Sequence, residues 1–305
     1  MRVTSAMKDN RLYLALVSVF VLTWSSAFVA TKFALTTCPP NLFLSFRFIS
    51  AGVILLAVAA AKGQLHRHIP WAKIALLGLL NQAGYYGLAW AGMETTSSGL
   101  ATLITSLNPV LVSVAASLVL GESLSTRKVV GLALGLAGAA LVVHDRIAFG
   151  EDAHGVLLIG IALLCMVAGT LAFKKLDLKE SLIVVVGGQQ LCAGAMLLAV
   201  GLGTERFADI SLNSTFWLSL AWHIGVVSIG AFSLWFYLLS KGSATSASSL
   251  HFLMPPVGLV MSWLILHEPL RAADLVGTVP IGIGIWLVTR HATTPRPKAM
   301  AQAAK

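Results

Sequence analysis

The chain has 305 residues, of which 57% are hydrophobic and only 11% charged, with a mean hydropathy of +0.85. Soluble domains carry about 25% charged residues, so composition excludes a soluble globular protein and points to a polytopic membrane protein. The formal net charge of +9 is therefore read for topology, not as a nucleic-acid footprint.

In chain order, residues 1–11 form a short basic segment with Arg2, Lys8 and Arg11. Residues 12–36 are apolar and long enough to span, and they lack the short apolar core and small-residue cleavage site of a secretory signal. They read as an uncleaved first helix. Since a span needs about 20 apolar residues, further spans are predicted over 41–61, 72–91, 97–119, 128–144, 154–173, 181–202, 215–238, 245–266 and 273–290. Cys38, Cys165 and Cys192 stand far apart, two of them inside apolar segments, and imply no metal cluster or disulfide framework. With the N-terminus inside, the ten spans place 16 Lys and Arg residues on the cytoplasmic side. Only Arg146, Arg206 and Arg271 lie outside, while Lys32 and Arg47 fall within spans. The positive-inside rule then favours ten helices with both termini cytoplasmic.

The stretch 97–142 returns 146 positions later as 243–288 without a gap. Pro109 falls on Pro255, Glu122 on Glu268, Gly131 on Gly277 and Gly138 on Gly284. Apolar segments match by chance, but a Pro, a Glu and two Gly in one register mark two copies of one unit. The first helices agree at a slightly different offset, with Trp24–Lys32 over Met166–Lys174. The organisation reads as a cytoplasmic segment 1–11, a five-helix repeat 12–144, a linker 145–153, a second five-helix repeat 154–290 and a cytoplasmic tail 291–305. Five is odd, so the second copy inserts upside down. An inverted repeat about an in-plane axis is a recurrent build of secondary transporters.

WSSAFVATK in the first helix, LSFRF at 44–48, Asn108–Pro109 and the LGE of 120–122 are echoed by MPP at 254–256 and LHEPL at 266–270. In this order and spacing the chain resembles an EamA-type member of the drug/metabolite transporter (DMT) superfamily, over nearly its whole length. The resemblance implies an all-α membrane protein of ten transmembrane helices in two inverted EamA repeats. It also implies ATP-independent metabolite movement, often export. The second copy departs from the first with Met254 in place of Asn108 and His267 in place of Gly121.

Polar groups inside spans are expensive unless they line a cavity or pair. The candidate substrate-binding residues are Trp24, Ser25, Ser26, Asn81, Gln82, Tyr85, Tyr86, Asn108, His223, Trp235 and His251. Asn81 with Tyr85, and Gln82 with Tyr86, stand four apart and are expected to share a helix face. Blander readings stay open: the serines bonding their own helix, the amides gluing helices together, the histidines packing. Two roles fit Arg47, structural pairing or contact with an anionic substrate. Lys32 is expected to snorkel to the surface. Pro109 and Pro255 are candidate hinges, because each removes a backbone hydrogen bond at mid-membrane. The glycines of the fifth and tenth helices are read as close-packing surfaces, within the chain or across a dimer.

No loop is long enough for a soluble catalytic domain and no GxxxxGK[ST] is present, so neither an enzyme nor an ATP-driven pump is expected. The expectation is a secondary transporter, acting as an exporter, of small organic metabolites such as amino acids, in a bacterial-type inner (plasma) membrane. The alternatives are nucleobases, sugars or drug-like cations as solutes, or a non-transporting receptor or scaffold. The expected partners are a small-molecule substrate and the lipid bilayer. No cofactor, metal or nucleic acid is expected, and the chain is read as a monomer or homodimer. Reporter fusions at Arg67 and after Arg290 should read as cytoplasmic and one at Glu151 as external. A periplasmic tail would sink the ten-helix arrangement.

Overall fold

The computed structural model describes residues 2–121, 125–148, 150–241, 244, 248, 250–251 and 254–289. Among them every regular element is helical and none is a strand. Glu122, most of 242–253 and everything after residue 289 lie outside the described residues.

Helix α1 runs Arg2–Leu35 and α2 runs Pro40–Ala61. The third apolar stretch is composite: α3 Trp71–Gly78, a π-helical segment Leu79–Gly84 and α4 Tyr85–Met93. The fourth is broken into α5 Ser98–Thr105 and α6 Asn108–Val119. Then come α7 Thr126–Ala148, α8 Ala153–Leu176 and α9 Leu182–Thr204. A second composite follows, with α10 Ser214–Trp222, a π segment His223–Ala231 and α11 Phe232–Lys241. Helices α12 Met254–Leu266 and α13 Ala272–Thr289 complete the set. Local chemistry sets several starts. Ser97 Oγ accepts from Leu100 N, Asp152 accepts from the amides of His154 and Gly155, and Asn213 Oδ1 accepts from Phe216 N. Pro40 opens α2, where its missing N–H costs nothing.

By length and apolarity, seven helical stretches qualify as membrane spans among the described residues: 15–35, 40–61, 98–119, 126–148, 153–176, 182–204 and 214–240. The 71–93 stretch is as long, but Asn81, Gln82, Tyr85 and Tyr86 dilute its apolarity. Two further apolar helical stretches, 256–266 and 272–284, stand out among the described residues. The count of ten expected from the sequence is matched here by seven span-length apolar stretches, the polar 71–93 composite and these two.

The packing follows the internal repeat. Each half's second helix lies along its mate, α2 on α9, and each half's fifth does the same, α7 on α13. The 71–93 stretch packs on α8, and its counterpart 214–231 packs on α1; α5 and α6 pack on α8 as α12 packs on α1. The α2–α9 contact joins Gly52 to Leu191, Gly194 to Ile49 and Gly201 to Leu42, so the two run antiparallel. An offset of 142 positions carries Gly52 onto Gly194 and Ile49 onto Leu191. The two contacts are therefore one contact seen from either half.

The glycines of α7 and α13 meet in the same way. A Cβ on Gly284 would lie 2.3 Å from the Gly131 carbonyl oxygen, and one on Gly138 would lie 2.6 Å from that of Gly277. These are repeat mates crossing each other's backbone, so the small-residue stripe packs within the chain. The positions of the Gly121-to-His267 difference share a conformation, with φ of 69° and 55°. The second half holds a histidine in the left-handed region that glycine enters freely.

Gly284→Ala should lower the thermal midpoint in detergent, at a cost of about 1–3 kcal/mol for forcing a methyl into a packed backbone contact. Gly282→Ala, where a Cβ meets nothing within 4 Å, should leave it unchanged. Equal melting of the two variants would overturn the α7–α13 contact.

Candidate functional site

A small cavity of about 20 Å³, room for about one water molecule, lies between α1 and α4. Trp24, Ala27, Phe28 and Thr31 form one wall and Tyr85, Tyr86, Ala89, Trp90 and Met93 the other. Both walls are helical stripes at spacings of three and four, the face a helix presents to a neighbour. Of the candidates named from sequence, Trp24, Tyr85 and Tyr86 line it. The spacing from those three would have found the remaining lining residues, which were missed.

Trp24 also borders an aromatic cluster on its other side. Its ring lies 5.1 Å from His251 and 6.0 Å from Phe232, and Trp235 lies 4.6 Å from His251 and 6.0 Å from Phe20. Trp235 and His251 therefore join Trp24 through a packed plug and do not line the cavity. The His251 Nδ1–H donates to the Ser248 carbonyl, while Nε2 meets no partner among the described residues. His223 sits elsewhere, 5.5 Å from Phe43 and 5.2 Å from Trp90, with Nδ1–H donating to the Ser219 carbonyl.

The other candidates disperse. Ser26 Oγ donates to the Thr23 carbonyl and accepts from Trp222 Nε1, the bland reading, whereas Ser25 Oγ is buried without a partner among the described residues. Asn81 and Tyr85, with the end of the π segment between them, meet different partners: Asn81 Nδ2 donates to Gln189 Oε1 at 3.2 Å and its side chain lies against Gly169, while Tyr85 lines the cavity. Tyr86 also lines the cavity, whereas both Gln82 amide atoms are buried and unpartnered among the described residues. Asn108 is in the same state at the start of α6. Pro109 follows the interruption at Ser106–Leu107, so the fourth stretch is broken and not only bent. Pro255 lies in α12, whose described part begins at Met254.

Arg47 is wholly buried on α2. Its Nε donates to Ser228 Oγ at 2.8 Å, and its guanidinium carbon stands 4.6 Å from the Tyr86 ring and 4.7 Å from Phe48. Ser228, in the second π segment, carries no sequence signal, because its partner lies 181 positions away.

One end of the bundle is laced with polar contacts. Lys32 does not snorkel: Nζ donates to the carbonyls of Met93 and Thr96, both at 2.5 Å, beyond the end of α4. Glu268 accepts from the backbone of Ser98 and Gly99 and so caps α5, and Glu205 likewise accepts from Asn41 and Leu42 at the start of α2. Arg146 pairs with buried Asp274 through Nε (3.0 Å) and Nη2 (2.5 Å), and Arg271 lies 3.8 Å from Asp145. Burial, then the nearby Glu205, raise the Glu94 carboxyl above its usual range. Burial pushes the Cys38 thiol up to about 12, which leaves it inert. No group of three metal-ligating side chains occurs among the described residues.

A bundle of apolar, span-length helices defines a multi-pass membrane protein. The chain belongs to the EamA-like transporter family of the DMT superfamily, whose profile matches residues 11–144 and again 153–290. It is 31% identical over 287 residues to the uncharacterized transporter YvbV of Bacillus subtilis, covering 93% of this chain and 94% of that one. It is also 31% identical to the WAT1-related protein At3g02690, chloroplastic, of Arabidopsis thaliana, over 87% of this chain and 66% of that one. Protein PecM of Dickeya dadantii is 26% identical over 84% of this chain and 85% of its own. A solved crystal structure with 21% sequence identity superimposes with a TM-score of 0.70, over 92% of this chain and 98% of that one, and shares the fold. Family and relatives indicate a transporter rather than an enzyme.

Proposed function

We propose that the protein exports small organic metabolites such as amino acids across a bacterial-type inner membrane, by alternating access between two inverted five-helix repeats with both termini cytoplasmic. The observation that carries this reading is the position of the cavity. It runs from Trp24 toward the laced end, which the Lys and Arg distribution assigns to the outside, and an aromatic plug of Phe20, Phe232, Trp235 and His251 backs it on the other side. A buried cavity set toward one side and backed by packed rings on the other lies where alternating access would open it to each side in turn. Its walls offer ring faces and two tyrosine hydroxyls, which suit a solute with an apolar body and a few polar groups. The repeat mates that run antiparallel, α2 with α9 and α7 with α13, supply the in-plane axis about which the halves exchange roles.

Labelled-solute flux in reconstituted vesicles tests the reading. Trp24→Ala and Tyr85→Ala should cut flux about tenfold or more, in line with loss of a central aromatic anchor, while insertion and gel-filtration profile stay unchanged. Full flux in both variants would move the site, and a protein that moves no solute in the screen would be a receptor or scaffold.

Transport is proposed to follow the solute gradient. The two histidines within spans have aromatic neighbours and no carboxylate within ion-pairing distance among the described residues. Counterflow at matched pH should therefore proceed, and an imposed pH gradient should add little uphill accumulation. Strong gradient-driven accumulation that persists in the His223→Ala, His251→Ala double variant would point to a carboxylate carrier instead.

A further inference from the structure

Arg47 is a buried cation without an anion. No carboxylate lies within 4 Å of it among the described residues, and Nη1 and Nη2 have no hydrogen-bond partner there. All twelve Asp and Glu residues of the sequence fall at helix ends, in loops or in the N-terminal segment. Ser228 occupies only Nε, and the rings of Phe48 and Tyr86 cover the faces of the guanidinium. The Tyr86 hydroxyl also approaches the guanidinium, but neither Nη1 nor Nη2 makes a well-formed hydrogen bond to it, and the hydroxyl is neutral. A buried charge lacking its partner is costly, and packing alone would be served as well by a neutral side chain. The two free nitrogens have the spacing that a carboxylate accepts in bidentate fashion. Beside them are Gln190 Oε1, which has no partner among the described residues, and the His223 ring. The Tyr86 ring stands between the guanidinium and the cavity, touching both.

We infer that Arg47 receives the carboxylate of the transported solute, which reaches it from the cavity by displacing the Tyr86 ring. Ser228 fixes the plane of the fork by holding Nε, so it acts as a positioning residue. The inference rests on the transport reading and narrows it: the solute is an organic anion or zwitterion with an apolar, ring-sized body, and a cation without a carboxylate is not a substrate.

The test uses the full chain in lipid nanodiscs and a near-isosteric probe pair, 3-phenylpropionate and 3-phenylpropanamide, with binding read from tryptophan fluorescence. The wild-type protein should bind the carboxylate about tenfold or more tightly than the amide, the margin of a charge-assisted hydrogen bond. Arg47→Gln should bring the ratio to about one, and Ser228→Ala should reduce it. The wild-type comparison needs no variant, so a misfolded Arg47→Gln protein leaves the test intact. Equal binding of the two probes, binding of neither, or a carboxylate preference that survives in folded Arg47→Gln would each overturn the inference. Vesicle flux separates it from the reading beneath it. A carboxylate preference lost with Arg47, in a protein that moves no solute, supports the anion site and sinks transport. Undiminished flux of amide or cationic solutes in Arg47→Gln supports transport and sinks the anion site.

Discussion

The architecture depends above all on two seams between repeat mates where helix backbones touch. At Gly52 and Gly194 on the α2–α9 seam, and at Gly138, Gly277 and Gly284 on the α7–α13 seam, a single added methyl would strike a neighbouring main chain. In lipid there is no hydrophobic drive for helices to associate, so close van der Waals approach must supply it. The seams join each half of the chain to its mate. They also fix the spacing of the helices between them, so the gap between α1 and α4 is a consequence of contacts formed elsewhere.

That gap is occupied unevenly. Toward one side aromatic rings meet edge to face, and toward the other a small buried cavity lies between the stripes from Trp24 and Tyr86. The cavity extends toward the end where Lys32, Glu205, Glu268 and Arg146 tie helix termini together. Three of these four bond to backbone at the ends of other helices. Each satisfies groups that a helix leaves free, and together they hold the rim of the cavity without crossing it.

Much of this was legible in the sequence because it rests on repetition and composition. The register of Pro109 with Pro255 and of Gly131 with Gly277 exposed the duplication, and the glycine stripes read correctly as packing surfaces. Trp24, Tyr85 and Tyr86 were visible as amphipathic groups too deep for an interface belt. What escaped depends on partners distant in the chain. Lys32 meets carbonyls some sixty positions away, and Ser228 meets Arg47 across 181. Asn81 finds its partner, Gln189, 108 positions away, and the π turn beside it has no propensity signature.

That turn has a geometrical consequence. The π segments 79–84 and 223–231 lie on corresponding helices of the two halves, and each amounts to surplus chain inserted into an otherwise regular screw. Surplus of this kind is portable: shifting it along the helix by peptide-by-peptide exchange of hydrogen bonds costs no net bond. Every residue it passes turns about the helix axis by the angle of one α-helical step, about 100°. Tyr85 and Tyr86 follow directly on the first such segment, and Ser228 lies within the second. The walls of the cavity and the support of its buried guanidinium are thus mounted on the two parts of the bundle that can rotate in place while their ends stay fixed.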